Sequence, residues 1–430
     1  MNAPLNIAVA GLGTVGAGTL RLLGRQSEHL ALRAGRPLTI AAVSARDKNR
    51  DRGVDVSTVR WFDDAAAMAA DPAIDMVVEL IGGADGIGRR VVETALAHKK
   101  HVVTANKALM AEHGTALAQQ AETAGVSLAF EAAVAGGIPI IKTLREGLVG
   151  NRLSRVYGIL NGTTNYILTT MRESGRDFAE VLGEAQRLGY AEADPSFDID
   201  GVDASHKLAI LASVAFGRPV DLAGVYCEGI RYVSKLDIEF AEELGYRIKL
   251  LGIARLTEHG LEQRVHPCMV RRGTPIAAVE GVFNGVVAEG DFVGQLMLEG
   301  RGAGAGPTAS AVVADIVDIA TGRRVAPFGV TVGSLAPIPG AAMEAHQGAY
   351  YIRLMVVDQP GVIADVAAAL RDQQVSLESM IQRGRSENQA VPVVLTTHVT
   401  VEAAMQRALA DIGKFKSVLE PPRMIRIEDL

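Results

Sequence analysis

Residues 5–18 read LNIAVAGLGTVGAG. A short apolar run, Leu5 to Ala10, has the character of a buried parallel strand and feeds the turn Gly11-Leu12-Gly13-Thr14-Val15-Gly16. A helix is predicted from that turn to about Leu23. The three glycines have separate tasks in such a unit. Gly11 permits the tight turn, Gly13 lets the backbone approach a pyrophosphate, and Gly16 lets the helix pack closely on the strand. Amides at the helix start then face the phosphates, with the helix dipole in their favour. The glycine pattern alone is a weak signal. Directly after an N-terminal strand it predicts a dinucleotide-binding turn.

The alternation continues outward from this turn. A second strand, Leu38 to Val43, is followed by Ser44-Ala45-Arg46-Asp47-Lys48. An NAD site prefers an acidic residue here, for the ribose 2′-hydroxyl. Arg46 comes first, with Lys48 close behind, which favours the extra phosphate of NADP; the alternative is a solvated turn in which Asp47 serves NAD. Strands are predicted at Ile74–Leu80, His101–Thr104 and Val126–Phe130, with helices at Gly86–His98 and Ala108–Thr123. This order predicts a doubly wound α/β sheet, whose ligands sit beyond the carboxyl ends of the strands. Lys107 falls at that edge. Its bland reading is a solvated lysine at a helix start.

Composition narrows the class. A chain of 430 residues has room for several domains. It is 48% hydrophobic but only 4% aromatic, which favours small residues packing helices onto sheets. A formal charge of -6 with no basic block argues against a nucleic-acid partner. Cys227 and Cys268 lack a CxxC spacing and suit a reducing compartment. The start has no basic n-region, and apolar runs are broken before about 18 residues, so neither a signal peptide nor a membrane span is expected. The predicted location is the cytoplasm.

The middle of the chain holds the polar residues that packing explains least. Glu131 enters the nearly uncharged run FEAAVAGGIP (130–139) and needs a partner there: backbone amides, a lysine or a cation. A helix is predicted over 139–148 and a strand over Val156–Leu160. Asn161-Gly162-Thr163-Thr164-Asn165 then either caps the next helix through Thr163 or Thr164 or lines a pocket. After a predicted helix, Phe178–Leu188, come Glu192, Asp194, Asp198, Asp200 and Asp203, followed by Lys207 at the mouth of an apolar helical run. A surface loop is the ordinary reading. A lysine one turn after Asp203, on the same helix face and partly desolvated, is a candidate acid/base or anchoring group. The acidic spacing lacks the EF-hand register, and His206 and His266 show no zinc-ligand pattern. A glycine-rich turn at 300–308 precedes a helix predicted over 309–320, too apolar to stand alone and expected to return to the nucleotide half.

Residues 326–344 read as a linker rich in proline, glycine and alanine. Beyond it, strand Tyr350–Val357, helix Ile363–Gln373, strand Ser376–Gln382, strand Gln389–Val399 (split by Pro392), helix Val401–Gly413 and strand Met424–Glu428 give a β-α-β-β-α-β order. That is a ferredoxin-like module, with no catalytic cluster and a regulatory or oligomerisation role.

At this point the chain resembles the homoserine dehydrogenases, in their single-function form with a C-terminal ACT domain. The resemblance rests on GLGTVGAG (11–18), TANKALMAEHG (104–114), FEAAVAGGIPII (130–141), GILNGTTNYILTTM (158–171), GYAEADPSFDIDGVDASHKLAILA (189–212), GAGAGPTASAVVADI (302–316) and VDQPGVIADVAAAL (357–370). It implies a Rossmann-type NAD(P)-binding domain over 1–135, completed by about 302–330. It also implies an α+β substrate and dimerisation domain with an open mixed sheet over 136–301, a linker over 331–348 and an ACT domain over 349–430. The implied reaction interconverts L-homoserine and L-aspartate 4-semialdehyde, with NADP(H) preferred and NAD(H) possible.

Site residues carry over with the motifs. Lys207, Lys107 and Asp203 are implied as catalytic. Glu192, Lys207 and Asp198 are implied as substrate-binding, with Asp194 and Asp200 in support. Gly11, Gly13, Thr14, Val15, Gly16, Lys107 and Gly306, together with Arg46, make the cofactor set. Glu131 with the main-chain oxygens of Val134, Gly136 and Ile138 is implied as a sodium site. A homodimer or homotetramer and an L-threonine effector at the ACT domain complete the expectation. The rival readings are an oxidoreductase for a related amino-acid aldehyde and a nucleotide-binding redox sensor without turnover.

Overall fold

The computed structural model describes residues 3–383 and 390–430. Met1, Asn2 and Gln389, where one ACT strand was expected to begin, lie outside them. Two compact units are present: Met1–Gly162 with Asp203–Val225 and Val282–Ile338, and Thr163–Val202 with Tyr226–Gly281 and Pro339–Leu430.

The first unit is built on a parallel sheet of β1 (Leu5–Ala10), β2 (Leu38–Ser44), β3 (Arg60–Trp61), β4 (Met76–Glu79), β5 (His101–Thr104) and β6 (Leu128–Ala129). Their order is β3-β2-β1-β4-β5-β6, so the winding direction reverses between β1 and β4. In such sheets the crevice at the carboxyl ends of that reversal holds the ligand. Ile7, Val9, Val43, Met76, Val78 and Val103 form a core with Val312 and Ile316 of the helix Ala305–Ala320. The return of that helix is as the sequence predicts. Its contact with the first helix is close: a Cβ on Gly18 would meet the Ala305 carbonyl oxygen at 2.7 Å.

Three local expectations change in this unit. The returning helix begins at Ala305 rather than 309, so Gly306 and Pro307 form its first turn. Proline is tolerated there because its missing N–H has no intrahelical partner. The helix expected over 139–148 is one α-turn, Ile140–Lys142, followed by a π-helical turn, Thr143–Gly147. The strand Leu153–Ile159, not Val156–Leu160, pairs antiparallel with Phe283–Gly290, which in turn pairs with Gly294–Arg301.

The stretch read as a linker is packed. Phe328 is buried, with its ring centroid 5.6 Å from that of Phe130, and Val332 donates its amide to Glu122. Short 3-10 turns at Val332–Ser334 and Met343–Ala345 and fixed amide bonds hold the rest. Proline and glycine here shape turns against a surface, which composition alone cannot distinguish from a free tether.

In the second unit Tyr246–Thr257 and Gly260–Arg271 form a long hairpin. The C-terminal strand, Arg423–Glu428, pairs parallel with Gly260–Arg271 and antiparallel with Gln347–Val357. With Leu377–Gln382, Ala390–Thr397 and the helices Val362–Asp372 and Glu402–Ile412, it completes the β-α-β-β-α-β module. Pro392 does not split its strand. It stands opposite Met355, and Leu377–Gln382 ends opposite Val393, so no described ladder partner meets its missing N–H on that side.

Candidate active site

The cofactor turn is shaped for a pyrophosphate. Gly11 has φ 98°, and a Cβ on Gly16 would fall 2.0 Å from the Gly11 carbonyl oxygen. Both positions are therefore closed to side chains. Above Gly13 the space is open, and the helix Thr14–Arg25 has no side-chain cap there, so its first amides are left for an anion. The space at Gly306 is also open, at the start of another helix without a side-chain cap. These features fit a dinucleotide. Arg46 is exposed just past β2, while the Asp47 carboxylate accepts the Asn49 amide within its own turn at 2.9 Å.

At the carboxyl edge of the parallel sheet, β5 ends at Thr104 and a helix starts at Lys107. Asn106 caps that helix by accepting the Leu109 amide at 3.1 Å. Lys107 thus projects from the first turn, with its ammonium 2.6 Å from Asp203 Oδ1. Asp203 Oδ2 accepts from Lys207 Nζ at 2.7 Å and from Asn161 Nδ2 at 2.8 Å, and Lys207 also donates to the Leu160 carbonyl at 2.7 Å. The i,i+4 spacing of Asp203 and Lys207 on the helix Val202–Phe216 brings those two together.

Electrostatics follow from burial. Asp203 is 2% exposed in its side chain, Lys207 10% and Lys107 36%, so only Lys107 shows substantial surface. Burial alone would raise the Asp203 pKa, but the Lys207 and Lys107 ammonium groups overcome it and hold the carboxyl well below the usual range. The carboxylate stays ionised and orients two cations. His206, on the same helix, is buried and its imidazole pKa is pushed down, chiefly by desolvation.

Glu131 is buried and accepts the amides of Ile141 and Lys142, each at 2.8 Å. Backbone amides are thus among its partners, and the Lys142 ammonium also acts on its charge. Burial, with the nearby Asp315 carboxylate adding to it, pushes the Glu131 pKa up to about 7. Val134 and Gly136 are buried too, and among the described residues no backbone amide donates to their carbonyls. The Ile138 carbonyl accepts the Ile140 amide at 2.8 Å. Hard oxygen donors of this kind fit a hard cation.

The remaining candidates lie in the second unit. Glu192 is exposed, and its carbonyl accepts from Gln186 Nε2 at 3.0 Å. Asp198 is half-buried in the short helix Ser196–Ile199. Asp194 accepts the Ser196 amide at 3.1 Å, and Asp200 takes Arg231 NH2 at 2.9 Å, so these two order the loop. Thr163 donates to the Tyr190 carbonyl at 2.7 Å, and Asn165 accepts from buried Lys249 at 3.1 Å. Asn161 thus joins the Asp203 cluster, while Thr163 and Asn165, in the first turn of the helix Gly162–Ser174, make tertiary contacts.

Sequence reasoning missed three polar groups. In the sequence Asn161 is distinguishable only as part of a polar turn. Glu79 is wholly buried at the end of β4. His266, Cys268 and Glu428 stand within 4.8 Å of one another. Arg264 donates to both Glu428 oxygens and lies 2.8 Å from His266 Nε2, which makes this an ion-pair cluster hostile to a further cation.

Known proteins resemble this chain in sequence and fold. The family model of homoserine dehydrogenase matches residues 139–317, that of the homoserine dehydrogenase NAD binding domain residues 11–131, and that of the ACT domain residues 350–415. Homoserine dehydrogenase of Pseudomonas aeruginosa is 46% identical over 436 residues, covering 99% of both chains. The chain belongs to the homoserine dehydrogenase family. It is an NAD(P)-dependent oxidoreductase of that family, carrying an ACT domain. The crystal structure of a homoserine dehydrogenase from Thiobacillus denitrificans superposes with TM-score 0.94 at 46% identity, covering 99% of this chain and 98% of that one. A hyperthermophilic archaeal homoserine dehydrogenase in complex with NADPH has TM-score 0.64 at 28% identity, covering 75% of this chain and 99% of that one.

Proposed function

We propose that the chain interconverts L-homoserine and L-aspartate 4-semialdehyde, with Lys207 as the proton-transferring group and Asp203 as its orienting partner. The shared Lys107–Asp203–Lys207 carboxylate is the observation that carries this reading. A bound nicotinamide supplies or takes the hydride at the carbinol carbon. In the reductive direction negative charge grows on the aldehyde oxygen, and an ammonium group stabilises it and donates a proton. Asp203 holds the Lys207 Nζ in place, and the Leu160 carbonyl fixes its direction from a second side. Lys107, the more exposed ammonium, contacts cofactor and substrate. Glu192 and Asp198 serve substrate binding, as the family motif implies.

NADP(H) is the preferred cofactor, supported by Arg46 beyond β2 and by the NADPH complex of the archaeal relative. Gly11, Gly13, Thr14, Val15, Gly16 and Gly306 receive its phosphates and neighbouring groups. Glu131 and the carbonyls of Val134, Gly136 and Ile138 hold sodium. The ACT domain answers to L-threonine, the chain works as a homodimer or homotetramer, and it acts in the cytoplasm. Among the described residues no helix is long and apolar enough to cross a membrane.

Reduction of NADP+ and NAD+, followed by near-ultraviolet absorbance with homoserine and other amino alcohols, tests the reading. Homoserine-dependent reduction favouring NADP+ is expected. Turnover only with another amino alcohol, or cofactor binding without turnover, contradicts it.

A further inference from the structure

Glu79 ends β4 beside the reversal of the sheet, in register with Ala10 of β1 on one side and Thr104 of β5 on the other. It is wholly buried, and three donors satisfy it. Oε1 accepts the amides of Ile81 at 2.7 Å and Gly82 at 3.1 Å, and Oε2 accepts the Thr104 hydroxyl at 2.6 Å. The chain of bonds continues on both sides. Thr104 Oγ1 accepts the Asn106 amide at 3.0 Å, and Asn106 donates to the Gly83 carbonyl at 2.8 Å while capping the helix that starts at Lys107. The turn that Glu79 holds from below is exposed, and its two glycines have φ 90° and 86°. A buried carboxylate is costly unless fully hydrogen-bonded. Apolar packing at this position would avoid that cost but could not grip two amides and a hydroxyl at once.

We infer that Glu79 is a positioning residue for the reaction, setting the exposed 81–83 turn at the cofactor crevice and the Lys107 ammonium in one fixed relation. It rests on the proposed role of Lys107 and adds the group that aims it. Replacing Glu79 with glutamine keeps an oxygen for the two amides but presents an NH2 to Thr104, whose hydroxyl then loses its acceptor. Thr104→Val removes the same link from the other end, and Thr104→Ser restores it.

The test is steady-state kinetics on the full chain for Glu79→Gln, Thr104→Val, Thr104→Ser, Lys107→Ala and Glu79→Gln/Lys107→Ala, with thermal unfolding of each. Glu79→Gln and Thr104→Val are expected to lower kcat about tenfold to a hundredfold, because misplacement of about 1 Å costs on that order. KM for homoserine should change little, Thr104→Ser should recover kcat, and the double variant should be no slower than Lys107→Ala. A lowered melting temperature with native kcat in Glu79→Gln, beside an impaired Lys107→Ala, overturns the inference alone. Native kcat in Lys107→Ala overturns instead the reading on which it rests.

Discussion

Lys107 and Lys207 hold opposite oxygens of one carboxylate: their ammonium groups stand 2.6 Å from Asp203 Oδ1 and 2.7 Å from Asp203 Oδ2. One comes from the first turn of the helix after β5 and the other from the helix Val202–Phe216. A single anion therefore fixes the separation of two cations that differ in exposure. Asp203→Asn removes that anion. It is expected to lower kcat about a hundredfold or more, the range of general acid catalysis. Loss of the buried partner of Lys207 should also cost about 3 kcal/mol in urea unfolding. Near-native values of both would mean that neither lysine depends on Asp203.

Arg46 is the first cation past β2. Arg46→Ala is expected to lower kcat/KM for NADP+ about tenfold to a hundredfold, the worth of a charge-assisted hydrogen bond, and to leave NAD+ nearly unchanged. Equal losses with both cofactors would assign Arg46 to something other than the 2′-phosphate.

The Glu131 pKa is raised from 4.5 to about 7, and that of Asp315 from 3.8 to about 6, each chiefly by burial. A carboxyl with a raised folded pKa binds protons more readily when folded. Its favourable contribution is complete below the unfolded value and is lost as pH rises through the folded value. Melting temperature should therefore fall between pH 3.8 and about 7 through these two groups, other titrations aside. Sodium, compared with tetramethylammonium at equal ionic strength, should reduce the fall, and Glu131→Gln should abolish that sodium effect. Identical profiles in the two salts would remove the cation from Glu131.

Glu428, in the last strand, takes Arg264 NH2 at 3.2 Å within the second unit, and Arg426 NH1 reaches Glu228 at 2.9 Å. Cutting the chain near Pro337 to remove the ACT domain would strand Arg264 in a buried site. Glu428→Ala is expected to destabilise the full chain by about 3–5 kcal/mol, with Arg264→Met/Glu428→Leu recovering much of it. Equal destabilisation in both would show that packing, not charge, holds the strand. Threonine sensitivity is accordingly best measured on the full chain, where inhibition of homoserine oxidation is expected.

Five strands of the parallel sheet were legible because they are apolar and the turns carry glycine where geometry demands it, as at Gly11, whereas the two-residue β3, Arg60–Trp61, carries no apolar run to read. The Asp203–Lys207 pair was legible from helical spacing. Lys107 reached the same carboxylate only through tertiary folding, and its motif, not its spacing, placed it there. Glu79 was hidden because a single acid ending an apolar strand reads as the edge of solvent. Arg264 and His266 lie on the hairpin strand Gly260–Arg271 with no acid beside them in a metal or catalytic pattern, whereas their partner Glu428 lies far away in the sequence. The proline and glycine of 326–344 signal turns, but not whether those turns pack.

The assignment of the proton to Lys207 is the central claim, and kcat at saturating homoserine and NADP+ for Lys207→Ala and Lys107→Ala tests it most directly. Lys207→Ala should be the slower by about a hundredfold or more, with its alkaline-to-neutral rate profile flattened, while Lys107→Ala retains measurable turnover. Near-normal turnover in Lys207→Ala beside abolished turnover in Lys107→Ala would contradict it and exchange the two roles.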